Sequence, residues 1–286
     1  MTILNPTHTI FKSNKINFYY DVENDNRKII ASKDIFKGDL LILEHGISDI
    51  INDGGINRTA LNILYNEDFY KELYPRNYKY DLNNIINNIT DDEINYTDAI
   101  NSKISKNVFR HPIDNEKSLF VLFRDIVKFN HSTNPNANHS YIKIQIPNID
   151  IPILIYFIVC SRDILKDEEI NINYGNGYFN ENINLNDYEN KNQDYFIKNS
   201  NKIKKLIFNY LNSNDFRDVI YNHHLYSNGL VYSNNKYIGM PTFYKLLKGD
   251  ENAEINIKEM NDWINTEIIK LSHYIQLYIK SIKNNF

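Results

Sequence analysis

The chain has 286 residues, 42% of them hydrophobic, with 32 Lys plus Arg against 36 Asp plus Glu for a net charge of −4. That length suits one large domain or two moderate ones around a buried core, and the mild acidity argues against general phosphate-backbone binding, so no direct nucleic-acid partner is expected. A single cysteine, Cys160, excludes an intrachain disulfide framework and a cysteine-rich zinc site; set in an apolar run, it reads as inert core. The wealth of Tyr, Asn, Ile and Lys resembles the codon bias of an AT-rich genome, so Asn richness is given no functional weight.

The opening stretch, MTILNPTHTIFKSNK, lacks a signal peptide's apolar centre, and IPILIYFIVC is half of a membrane span. A soluble intracellular protein with no membrane partner is the expectation. KIIASKDIFKGDLLILEHG (28–46) reads as two short strands around a Lys-Gly-Asp turn, because β-branched residues flank the glycine. From about 58 to 128 the apolar spacing turns helical: Leu61, Leu64, Tyr65 and Phe69, then Leu82, Ile85, Ile86 and Ile89. Thr90 with Glu93 forms a capping box, and SLFVLFRDIVKF predicts a further helix. SYIKIQIPNIDIPILIYFIVCS predicts a hairpin about Pro-Asn-Ile-Asp whose second strand is buried on both faces, and RDILKDEEININYGNGYFN a turn, a short strand and an aromatic loop. Helices return from about 190. In the last, Ile257, Met260, Ile264, Ile268, Leu271, Ile275, Tyr278 and Ile282 form one apolar stripe, packed either on the C-terminal helices or on a second chain in a homodimer. No internal repeat is apparent.

Several chemistries lack their signatures. His131, His139, His223 and His224 fall in no metal-ligand pattern, so no metal site is assigned. Ser132 beside His131 stands outside any nucleophile elbow. The acids at 91–93 and 167–169 read as a helix N-terminus and a solvated turn, and no phosphate-binding glycine pattern is present.

The stretch FNHSTNPNANH, Phe129 to His139, resembles the SET-domain signature in which Asn-His-Ser is followed, after two residues, by Pro-Asn. SRDILKDEEININYG is similar to that family's later segment, ending in Tyr-Gly, and IIASKDIFKGDLLILE to its first hairpin. The motifs are most similar to those of small stand-alone viral SET proteins. The resemblance implies an α+β protein: a β-rich SET domain over 14–185 with pseudoknot-like threading, a helical insert over about 46–115, and a helical C-terminal region over 186–286.

It also implies an S-adenosylmethionine-dependent protein-lysine N-methyltransferase acting on protein tails, histones among them, in cytoplasm or nucleus and, if viral, in a host cell. Tyr174 would be the catalytic tyrosine. Asn130 and His131 would line the cofactor pocket, with Ser132 and the Pro135-Asn136 turn fixing the bend. Ile172, Tyr178 and Phe179 would line the lysine channel, Ile172 setting how many methyl groups are added. Where many relatives carry Gly-x-Gly, this chain has Asn26, Arg27 and Lys28, whose cations are candidates to hold the cofactor carboxylate. Without a zinc-bound tail, Tyr188, Tyr195 and Phe196 are candidates to close the channel or to form the apolar face of the first C-terminal helix. The alternative from another class is a catalytically silent SET-like module that binds a lysine-containing tail; a third is an interaction protein built on the last helix.

Overall fold

Eight consecutive residues, ILIYFIVC, make a strand that is buried along its whole length. It is one element of a computed structural model that describes residues 7–21, 26–51, 107–112, 118–148, 153–174, 199–227, 230–233, 236–239 and 257–282. In chain order the strands are β1 (His8–Lys12), β2 (Ile16–Asp21), β3 (Asn26–Ala31), β4 (Leu40–His45), β5 (Ile47–Ile51), β6 (Val108–Pro112) and β7 (Ser118–Leu122). A 3-10 turn, Ile126–Lys128, precedes β8 (Asn130–His131), β9 (Ala137–Ile144), β10 (Ile153–Cys160) and β11 (Asn171–Ile172). Then come helices α1 (199–211) and α2 (Asn214–Ser227), the hairpin β12 (Leu230–Ser233) and β13 (Lys236–Gly239), and α3 (Ile257–Ile282).

Side-chain alternation along β10 explains its burial. Ile153, Ile155, Phe157 and Val159 meet Ile203, Ile207, Leu211, Phe216, Leu271 and Ile275 of the three helices. Leu154, Tyr156, Ile158 and Cys160 face a second cluster with Ile29, Ile35, Phe129, Ile164, Ile170 and Ile172. The sheet β1-β4-β10-β9 is therefore covered on both sides, and each fully buried side chain contributes roughly 1.5–3 kcal/mol. The apolar stripe of α3 packs within the chain, through Ile264, Leu271 and Ile275. The expected hairpin β9–β10 is present, antiparallel from Ala137↔Cys160 to Ile144↔Ile153.

Several expectations are corrected. SLFVLFRDIVKF is not a helix: β7 is the central strand of β5-β7-β6, followed by the short turn Ile126–Lys128. Ladder hydrogen bonds on both edges override the apolar spacing. The same strands make both ends of the 46–115 segment β rather than helical; Leu61 to Ile89 and the Thr90–Glu93 box lie outside the described residues. The strands in 28–46 do exist, yet they do not pair with each other. β3 pairs with β2, whereas β4 lies between β1 and β10.

Repeats are a further correction. SKDIFKGD (32–39) and SRDILKDE (161–168) are matching octapeptides that the structure joins reciprocally. Ile35 and Ile164 exchange both main-chain hydrogen bonds at 2.9 Å. The Lys166 amide donates to Asp34 Oδ1 at 2.9 Å, and the Lys37 amide donates to Asp163 Oδ1 at 2.7 Å. Both turns use the left-handed region, at Gly38 (φ 82°) and Asp167 (φ 68°).

Candidate active site

The second of these turns delivers the chain to the site. Asp167 N donates to Ala31 O, Ala31 N to Glu168 O and Ile170 N to Ile29 O, so 167–170 is laid along β3. β11 then pairs in parallel with β8, Asn171 opposite Asn130 and Ile172 opposite His131. Asn136, 3% exposed, clasps the arc from inside: its amide donates to Glu169 O (2.8 Å) and Glu168 Oε1 (3.2 Å), its Oδ1 accepts from Asn171 N (2.8 Å), and its carbonyl accepts from Ser161 N (2.9 Å). The segment 130–136 is thus held between β3 and the 161–172 arc, in keeping with the pseudoknot-like threading that the resemblance implies.

Glu168 and Glu169 belong to this clasp rather than to a solvated turn. Glu168 pairs with Arg162, which holds its carboxyl below the usual carboxylate range. Glu169 Oε1 accepts from the Asn130 amide at 2.8 Å. That amide also donates to Arg27 O at 2.7 Å and lies 3.4 Å from Asn26 Oδ1. Asn130 therefore ties the Asn-His-Ser segment to β3 and to the arc. Ser132 works on the bend: its Oγ accepts from Asn134 N at 3.1 Å and its amide donates to Ile172 O.

Tyr174 closes the group. Its main-chain N–H donates to His131 Nδ1 at 3.1 Å, its ring centroid is 5.3 Å from that of His131, and its hydroxyl donates to Phe129 O at 2.5 Å. With its proton committed to a carbonyl, the phenol oxygen presents lone pairs to any ligand beside it. Ile172 is fully buried, in the cluster against which Tyr174 packs. The structure thus gathers Asn26, the Arg27 carbonyl, Asn130, His131, Ile172 and Tyr174. The Arg27 guanidinium instead donates to Asn107 Oδ1 (3.1 Å) and Val127 O (3.3 Å), and the Lys28 ammonium lies over the Tyr19 ring at 5.4 Å. Tyr178, Phe179, Tyr188, Tyr195 and Phe196 lie outside the described residues.

Two supporting groups escape sequence reasoning. Glu44 of β4 is fully buried and accepts from three successive amides, Arg124 (2.7 Å), Asp125 (3.1 Å) and Ile126 (2.9 Å), fixing the turn that leads into Phe129. Burial, helped by the charge of Asp125, raises its carboxyl to about 7 against the pull of those amides. His139 packs against Phe109 and Tyr156, which lowers its pKa, and its Nε2–H donates to Asn173 O at 2.9 Å, bracing the residue before Tyr174. A lone acid in LLILEHG is the signal for Glu44; nothing in the sequence points to its partners. Cys160 is buried and its thiol is pushed up to about 12, mainly by burial, consistent with inert core.

A β-rich core that threads an Asn-His-Ser segment beneath an arc ending at a pinned tyrosine defines the SET class of fold. The chain belongs to the SET domain family, whose pattern matches residues 26–175, over half of its length. Among solved structures it is similar to a Plasmodium falciparum protein provisionally named a histone methyltransferase, at 16% identity over 58% of this chain and 98% of that one, with a TM-score of 0.30. A 122-residue stretch is 32% identical to the periplasmic chaperone PpiD of Buchnera aphidicola; it covers 41% of this chain and spans only 18% of that protein.

Proposed function

We propose that the chain is an S-adenosylmethionine-dependent protein-lysine N-methyltransferase, with lysine-bearing protein tails such as those of histones as its substrate class. The observation that carries this reading is the Tyr174 hydroxyl, held on Phe129 O beside His131. An oxygen offering only lone pairs suits a ligand whose reacting methyl is electron-poor, so the residues present fit this cofactor.

When bound, S-adenosylmethionine supplies a methyl group on a cationic sulfur, which an uncharged lysine amine takes in line as the carbon–sulfur bond breaks and its electron pair stays on sulfur. Tyr174 would attract the methyl hydrogens and favour the arrangement in which amine, methyl and sulfur are collinear. Asn130 and His131, with the main chain of Asn26, Arg27 and Lys28, would hold the cofactor. Ile172, Tyr178 and Phe179 would border the lysine channel, where apolar walls disfavour the ammonium form.

A specific observation also favours the silent-module reading: Asn26-Arg27-Lys28 stands where, by the resemblance, many SET domains carry Gly-x-Gly, and the Arg27 guanidinium is spent on Asn107 and Val127. Calorimetric titration with S-adenosylmethionine separates the two. Stoichiometric binding supports the enzyme; no binding, with a lysine-containing histone peptide still bound, supports the module.

A further inference from the structure

The carbonyl of Asn173 and the N–H of Tyr174 are the two polar ends of one peptide group, and each is taken by a histidine. His139 of β9 donates its Nε2–H to Asn173 O at 2.9 Å, while His131 of β8 accepts the Tyr174 N–H on Nδ1 at 3.1 Å. A planar peptide turns as a unit, with its oxygen and its N–H pointing in opposite directions. Held at both, the group cannot rotate without breaking one of the two bonds. Its orientation sets the direction in which the Tyr174 side chain leaves the backbone, and the bond from the hydroxyl to Phe129 O fixes the far end of that side chain. The two histidines must therefore present opposite chemistry. A carbonyl only accepts, so His139 needs its proton on Nε2; an amide N–H only donates, so Nδ1 of His131 must be bare, with the proton of that ring on Nε2. His139 is itself firmly set. It stands opposite Ile158 in the β9–β10 ladder, its ring edge-on to Phe109 at 5.8 Å and nearly parallel to Tyr156 at 6.0 Å. Burial lowers its pKa against the opposing pull of Asn173 O, so the ring is neutral and its single proton belongs to that bond.

We propose that His139 is a positioning residue for Tyr174, clamping the Asn173–Tyr174 peptide group against His131 and so aiming the Tyr174 hydroxyl at the transferred methyl. His139 acts here through the main chain, from a strand whose place is fixed by the central sheet rather than by the threaded segment. The consequence for turnover rests on the methyltransferase reading. The clamp itself is measurable without turnover.

Two variants of the full chain test it. His139→Phe keeps an aromatic ring beside Phe109 and Tyr156 but has no donor, whereas His139→Gln keeps a side-chain N–H within reach of Asn173 O. Imidazole nitrogen chemical shifts in the wild type should show both His131 and His139 protonated on Nε2 and bare on Nδ1. Hydrogen exchange of the Tyr174 amide should be about tenfold faster in His139→Phe and close to the wild-type rate in His139→Gln. In methyl transfer from S-adenosylmethionine to core histones, His139→Phe should lower kcat about tenfold with KM for both substrates held within about twofold, and His139→Gln should restore most of the loss. A proton on Nδ1 of His139, or wild-type exchange and kcat in His139→Phe, would overturn the proposal. Equal losses in the two variants would also overturn it, since packing alone would then account for them. A wild type with the expected tautomers and exchange but no methyl transfer would leave the clamp standing and remove the methyltransferase reading instead.

Discussion

Asn130 shows how one side chain sets the geometry of a site. Its amide satisfies Arg27 O and Glu169 Oε1 at once, so Asn130→Ala would leave two acceptors in a partly buried crevice without their donor. A loss of about 1–3 kcal/mol in cofactor binding is expected, the scale of an unmade buried hydrogen bond, checked by titration with S-adenosylmethionine alongside thermal unfolding. An unchanged affinity in a folded variant would remove Asn130 from the cofactor site. Glu44 makes the second residue-scale prediction. Its folded pKa of about 7 exceeds its unfolded value of 4.5, so the folded chain holds the extra proton between them. The stability this contributes is fully present below the unfolded value and is lost as pH rises through about 7, a change on the order of 3 kcal/mol at about 1.4 kcal/mol per pKa unit. Glu44→Gln should flatten that slope in urea unfolding between about pH 5 and about pH 8, while losing about 1–3 kcal/mol because its NH₂ confronts amide donors. Equal slopes in the two proteins would show that Glu44 does not titrate there.

Between elements, close approach decides what can be substituted. Gly46 joins β4 to β5, and a Cβ built there would stand 2.5 Å from Phe123 Cε1 and 2.6 Å from Val121 Cγ1. Both neighbours are fully buried, so Gly46→Ala must displace packed core and should cost about 1–3 kcal/mol, measurable as a lower urea midpoint with an unchanged m-value. The elements differ in how far the sequence reveals them. β10 is legible because an eight-residue β-branched and aromatic run has few other fates, and α3 because its stripe persists over many turns. β7 is not, since SLFVL suits a buried strand or a helix equally until β5 and β6 supply its ladders. The site divides in the same way. Tyr174, Asn130 and His131 stand in local motifs, whereas Glu44 acts through main-chain amides about eighty residues away, and such a partnership leaves no trace in residue identity. The paired octapeptides are visible in sequence once their reciprocal hydrogen bonds are known; at eight residues they are too short to stand out as a repeat.

At the scale of the molecule, the C-terminal helices are part of the same core. Leu271 and Ile275 of α3 reach the face of β10 opposite the site, in one cluster with Phe157 and Val159. Leu271→Ala should therefore cost about 2–5 kcal/mol in global unfolding, far more than an exposed helix position would. A change below about 0.5 kcal/mol would mean that α3 is not bound to the sheet in solution. No helix among the described residues is long and apolar enough to cross a membrane. The sheet's other face carries the threaded segment, so the helices support the site from behind. The central claim is that Tyr174, pinned on Phe129 O, promotes methyl transfer. It is tested most directly by comparing wild type and Tyr174→Phe for transfer of labelled methyl from S-adenosylmethionine to core histones or a cell lysate. The account predicts transfer to lysine by the wild type and a loss of about a hundredfold in turnover by the variant, with cofactor binding retained. A Tyr174→Phe protein that transfers methyl groups at the wild-type rate would contradict it.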